Sequence, residues 1–238
     1  MKKLFLAALA GLLITTMHAQ DKNKTKETIE GNGKLTTREV NVSSFDALKA
    51  SGVYELRLSQ GNKESVKIEA DENLQEYFTV RNDGNKLVID MDKLNNKNLK
   101  GKSKMKVYVT FKNLKELELK TVGNVASDEQ LSFDNLDLET KNVGNVDLNL
   151  TAKKLNLDSK SVGNVKLSGK ATEAVVKNKG VGSFEAGSFV VQSMNIENDG
   201  IGSAEVNAEK DLKVKDSMIG KVKNKGGAPV RKMNKVRV

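Results

Sequence analysis

Nucleophilic catalysis by serine or cysteine normally draws on an imidazole or a thiol, and this chain carries one histidine, His18, and no cysteine. His18 falls in a segment expected to be removed on export, so Ser-His-Asp and Cys-His arrangements and the usual zinc sites are excluded for the mature protein. Carboxylate pairs remain, and they are what glycoside hydrolysis needs. The candidates are Asp137 with Asp158, or Glu139 with Asp147. They stand isolated among lysines on stretches that look alike, and Tyr54, Tyr77 and Tyr108, the rings that could stack a sugar, all precede them. Oxygen ligands for calcium could come from Asp71-Glu72-Asn73 or Asn82-Asp83-Gly84-Asn85, yet neither has the spaced carboxylates of a calcium loop. Turn and capping chemistry accounts for both. The reading is a chain with no catalytic, cofactor or metal residues.

A second kind of chemistry is electrostatic. From Ser217 onward the chain holds Lys221, Lys223, Lys225, Arg231, Lys232, Lys235 and Arg237 with no acidic residue. Such an end suits an anionic surface such as lipopolysaccharide or acidic polysaccharide. Its other reading is a solvated edge strand whose lysines block edge-to-edge pairing. Nucleic acid is disfavoured, because the repeats lack interleaved aromatics and the chain carries an export signal.

That signal opens the chain: Lys2-Lys3, the apolar run Leu4 to Ile14, then a small and polar stretch ending Ala19-Gln20. The order is that of a secretory signal peptide over residues 1–19, with an apolar run shorter than the about 20 residues of a membrane-spanning helix. Residues 20–34, rich in Lys, Asn and Thr, are expected to form a mobile leader. No cysteine is available for lipid attachment or disulfides, so stability must come from a core; with aromatics at 4% and no Trp, that core is one of stacked aliphatics.

The elements that must position these groups are announced by a repeat. Val122-Gly123-Asn124-Val125 recurs as Val143-Gly144-Asn145-Val146, Val162-Gly163-Asn164-Val165, Val181-Gly182-Ser183-Phe184, Ile201-Gly202-Ser203-Ala204 and Ile219-Gly220-Lys221-Val222, the glycines falling 21, 19, 19, 20 and 18 residues apart. Eight and six residues before the glycine stand apolar pairs such as Leu136/Leu138, Leu155/Leu157 and Met194/Ile196. Two and four residues after it come Val146/Leu148, Val165/Leu167 and Phe184/Ala186. Each unit thus reads as two half-buried strands with period-2 alternation. The residue before the glycine is out of phase with both, so the chain must bend there.

A meander does not need one phrase at constant phase, whereas a parallel coil does, because each residue lies about 4.8 Å above its counterpart. The predicted fold is therefore an all-β parallel β-solenoid of about 20 residues per coil over residues 114–225, six turns rising roughly 29 Å, with 226–238 as a basic edge or tail. The Asn/Ser position after the glycine, and the position four before it (Thr140, Ser159, Asn178, Asn198, Asp216), are expected to form polar ladders that tie off corner backbone groups. A ligand-binding stripe is the competing reading of the Asn/Ser ladder.

Residues 35–113 alternate too, with less even spacing and turns at Ser59-Gln60-Gly61-Asn62 and Asn82-Asp83-Gly84-Asn85. They read as early, elaborated coils or as a cap over the first strand edge. Leu48 to Leu56, with Gly52-Val53, partly echoes the repeat phrase.

With Arg38, Val40, Phe45, Leu48, Gly52, Val66, Ile68, Ala70-Asp71-Glu72-Asn73-Leu74, Asn82-Asp83-Gly84, Leu87-Val88-Ile89 and the later Gly-Asn turns, the chain resembles the head GIN domain family of auto-transporter adhesins, common in Bacteroidetes. The resemblance spans roughly residues 35–225 and implies a right-handed β-helix-like fold and an exported location, in the periplasm, at the outer membrane or outside the cell. It brings no catalytic residues. The function expected is a non-enzymatic, adhesin-like binding protein of the envelope or surface that meets glycan, lipopolysaccharide or an envelope protein. A polysaccharide lyase or glycoside hydrolase on the same scaffold is the alternative.

Overall fold

The computed structural model describes residues 26–101, 103–217 and 221–233. The signal segment, Lys235 and Arg237 lie outside them. The strands are β1 (Glu27–Glu30), β2 (Leu35–Val40), β3 (Ala47–Gly52), β4 (Glu55–Gln60), β5 (Ser65–Asp71), β6 (Thr79–Asp83), β7 (Lys86–Asp90), β8 (Lys97–Lys100), β9 (Lys106–Phe111), β10 (Glu116–Thr121), β11 (Val125–Ser127), β12 (Leu131–Thr140), β13 (Val146–Ser159), β14 (Val165–Asn178), β15 (Phe184–Asn198), β16 (Ala204–Asp216), β17 (Val222–Asn224) and β18 (Val230–Lys232). They wind into a β-solenoid of about six turns with roughly 20 residues per coil.

Every neighbouring pair from β10 to β18 is parallel, and equivalent residues stack: Leu136 on Leu155, Ala174, Met194 and Leu212; Val125 on Val146, Val165, Phe184 and Ala204. All of these are buried. The identity of a column follows from burial on an axis: side chains one rung apart must fill the same slot, so a column stays apolar or it empties.

The two strands expected in each unit are joined. The run after one glycine continues into the run before the next, giving single strands of 13 to 15 residues in β13 to β16. Alternation skips at adjacent outward residues, Asp134-Asn135 in β12, Lys153-Lys154 in β13 and Thr172-Glu173 in β14, which turn the chain through a second corner while the strand continues; β15 has an additional skip at Gly187-Ser188, where the register shifts. The sharp corner is the Val-Gly-Asn phrase itself. Gly163 has φ +127°, and a Cβ there would lie 2.3 Å from the Gly144 carbonyl oxygen one rung below.

The N-terminal half is both coil and cap. β3 and β4 stack in register on β10 and β11, Leu48 on Leu117 and Leu56 on Val125. The next coil outward is built by later residues, β7 pairing with β3 and β9 with β4, both parallel. Antiparallel strands then close this end: β5 and β2 beyond β9, and β6 beyond β7. Within the segment read as a mobile leader, Glu27–Glu30 instead pair in parallel with Lys97–Lys100, and Ile29 is buried against the core. The cause is a contact of long sequence separation that composition cannot report. At the far end β17 and β18, three residues each, pair with β16. No helix among the described residues is long and apolar enough to cross a membrane.

Candidate binding surface

Because coils repeat, each outward position becomes a column, and the columns beside the sharp corner differ sharply in character. Val122, Val143, Val162, Val181 and Ile201 bridge one another in parallel. Each is exposed by 47–56%. Val53, opposite Val122 by the register of β3 and β10, extends the line and is also exposed. Five rungs at about 4.8 Å make an aliphatic stripe roughly 24 Å long. The core does not require it, since the buried columns lie on either side.

On one flank runs a lysine column, Lys120, Lys141, Lys160 and Lys179. The first three pair with carboxylates two residues earlier, Glu118, Glu139 and Asp158. Lys141 holds the Glu139 carboxyl below its ordinary value, and Glu139 in turn raises Lys141. On the other flank is the Asn/Ser column expected from the repeat. Asn124 Oδ1 accepts from the Asn145 amide, Asn145 Oδ1 from that of Asn164, and Asn164 Oδ1 from that of Ser183, at 3.0–3.1 Å. Ser203 Oγ donates to Ser183 Oγ at 3.0 Å. The asparagine oxygens serve the corner backbone, the structural role expected of them, while the two serines bond each other along the column.

Beneath the corner lies a buried polar network. Ser161 Oγ donates to Thr140 Oγ1 at 2.9 Å, and Asn178 Nδ2 to Asn198 Oδ1 at 2.7 Å. Asn142, fully buried, accepts from the Thr121 hydroxyl and donates to the Gly123 carbonyl at 2.8 Å. The sequence pattern located the column of Thr140 and its equivalents but not the neighbouring one, Thr121, Asn142 and Ser161, whose residues vary.

The carboxylates singled out from the sequence are each tied to a neighbour. Asp137 accepts from Asn156 Nδ2 at 2.6 Å, and Asp147 pairs with Lys166 at 3.0 Å. Glu139 and Asp147 lie on opposite sides of the sharp corner. Among the described residues no three His, Cys, Asp or Glu side chains are placed to hold a metal ion. Asn73 bonds the Glu30 carbonyl and the Asn32 amide, and Asn82 bonds both backbone groups of Ser43. Both loops therefore do turn and stapling work.

The described part of the basic end occupies β17, β18 and the loop between them. Lys225 pairs with Glu205 at 2.7 Å, Arg231 with Asp211, and Lys232 with Asp216 at 2.6 Å. Lys221 and Lys223 have no ion pair among the described residues. Three of the five described basic residues thus dock the last strands to β16.

Stacked parallel coils, an antiparallel cap and outward columns of repeated residues define the class of a capped β-solenoid. The chain belongs to the family described as "Putative auto-transporter adhesin, head GIN domain", whose model matches residues 44–228. It is similar to the crystal structure of a putative adhesin from Bacteroides fragilis, at 32% identity over 86% of this chain and 100% of that one, with a TM-score of 0.73. A putative lipid binding protein from Parabacteroides distasonis (19% identity, 87% and 100% covered, TM-score 0.58) shares the fold. So does a putative adhesin from Parabacteroides merdae (22% identity, 87% and 100% covered, TM-score 0.51). A search of curated proteins returns no match.

Proposed function

We propose that this protein is an exported, non-enzymatic binding protein of the cell envelope or surface, which uses a face of its solenoid to contact glycan, lipopolysaccharide or an envelope protein. The observation that carries the reading is the half-exposed aliphatic stripe from Val122 to Ile201. A contiguous apolar line rimmed by polar columns is the kind of surface that marks an interaction site. A repeating column also matches a partner that itself repeats, since the same contact can be made at each rung and weak contacts then add. The names of the family and of the B. fragilis relative agree with an adhesive role.

The test presents residues 20–238 to arrays of glycans, lipopolysaccharides and envelope proteins at low and physiological salt, beside Val143→Glu/Val162→Lys/Val181→Glu. The alternating charges keep attraction between rungs, and exposed positions of this kind shift stability little. Saturable, salt-tolerant binding lost in the variant supports the reading. Binding that the variant retains in full removes the stripe from it.

A further inference from the structure

In the regular coils the second corner is plain: Lys153-Lys154 in one, Thr172-Glu173 in the next. At the capped end the same corner is assembled from four separate segments. Asn85 lies in the turn between β6 and β7, Asp46 precedes β3, Asn113 precedes β10, and Asn135 stands at the bend of β12. Rung contacts bring them together: the Asp46 amide donates to the Asn85 carbonyl at 3.0 Å and the Lys115 amide to the Asp46 carbonyl at 2.7 Å. Between them opens a groove of about 810 Å³, inside the range of small-molecule sites, roughly 300–1,000 Å³.

Its floor is apolar, made by Phe45, Leu114 and Phe133, with Phe133 held by a stacked contact to Phe111 at 6.0 Å between centroids. Its rim carries the exposed amides of Asn85, Asn113 and Asn135 and the hydroxyl of Ser132. None of these four side chains is hydrogen-bonded to another described residue, in contrast to the corner asparagines, which serve the backbone. The carboxylates of the groove are instead held in place, Asp134 by Lys153 at 2.7 Å and Asp137 by Asn156. Asp46 pairs with Lys115 at 2.7 Å, while Glu64 accepts from Ser44 Oγ at 2.8 Å and faces Lys112 at 3.6 Å. The bond from Ser44 is the main cause that keeps the Glu64 carboxyl below its ordinary value, so it stays an acceptor.

We propose that this groove binds a neutral oligosaccharide. An amide both donates and accepts, which matches vicinal sugar hydroxyls, and fixed carboxylates accept from further hydroxyls. The apolar floor suits the carbon face of a pyranose ring. Lys112, Lys115 and Lys153 are each paired with a groove carboxylate, Glu64, Asp46 and Asp134, which leaves Asp137 as the one carboxylate there without a lysine partner; a groove with no excess of positive charge does not select the anionic sugars that the basic end of the chain would attract. The proposal rests on the reading of the chain as a glycan- or protein-binding module and gives that reading a second, separate site.

The experiment measures binding of residues 20–238 to cello-, manno-, chito- and galacto-oligosaccharides by calorimetry, at low and high salt, for the unaltered chain and for Asn113→Ala/Asn135→Ala. Expected is saturable binding to one series, unaffected by salt. In the double variant it weakens about tenfold, the loss of two neutral hydrogen bonds, with no change in melting temperature because both side chains are exposed. Binding that the double variant keeps, or that salt abolishes, overturns the groove. Glycan binding lost only in the aliphatic-stripe variant overturns the groove and leaves the adhesive reading intact. So does retention of an envelope protein with no oligosaccharide bound. Absence of every kind of binding overturns both.

Discussion

Replacing Gly163 by alanine tests the corner on which the whole coil depends. Gly163 combines two constraints: φ of +127°, which L side chains rarely adopt, and a missing Cβ that would sit 2.3 Å from the carbonyl oxygen and 2.8 Å from the carbonyl carbon of Gly144. Relief requires more than an ångström of movement, and what must move is backbone held in the ladder by Gly144 N to Val162 O and Gly163 N to Val181 O, at 2.9 and 2.8 Å. The unfavourable φ costs of order 1–3 kcal/mol and overpacking typically another 1–3, so a loss of about 3–5 kcal/mol is expected. For a domain of this size that lowers the melting temperature by roughly 6–20 °C. Thermal melts followed by far-UV circular dichroism, with urea titration to check that coils still unfold together, measure it. Gly84→Ala is the reference, since its φ is +57° and its Cβ meets nothing within 4 Å; it gives the cost of an unobstructed left-handed residue, about 1–2 kcal/mol, which Gly163→Ala must exceed. If Gly163→Ala melts no lower than Gly84→Ala, rung contact at the corner does not set stability and the argument fails.

Other consequences are equally open to measurement. Asn142→Ala strands the buried Thr121 hydroxyl and Gly123 carbonyl, so its urea midpoint should fall by the equivalent of about 2–4 kcal/mol; an unchanged midpoint would show that these groups find other partners. If the terminal strands bind anionic surfaces, Lys221→Glu/Lys223→Glu/Lys225→Glu should abolish salt-sensitive retention on heparin, and undiminished retention rules that use out. Lys232 bonds Asp216 and holds its carboxyl below the ordinary value. A depressed carboxyl contributes stability that is present above its unfolded value, about 3.9, and is lost as pH falls through the folded one. Amide protection in β18 should therefore fade below about pH 4 before that of β13 does; equal persistence of the two would mean that this ion pair does not hold the edge.

Much of this architecture can be read from residue order because a solenoid is built from local repetition. The 18-to-21-residue return of Gly with its flanking aliphatics specifies the coil. Alternation on either side separates buried columns from outward ones, and the absence of cysteine with a single early histidine removes whole classes of chemistry. The corner valines are out of phase with both neighbouring runs, which marks a bend in the sequence; that they face solvent as a stripe is decided by the stacked coils. What residue order does not carry is pairing at the ends, where no coil repeats the pattern of the one beside it. Nothing local places β7 and β9 outside β3 and β4, docks Glu27–Glu30 on Lys97–Lys100, or brings Asp46, Asn85, Asn113 and Asn135 around one groove. Periodicity is a property of neighbours along the chain; an edge is satisfied by whichever strand can reach it with matching hydrogen bonds and a complementary apolar face, and only the folded chain decides which strand that is.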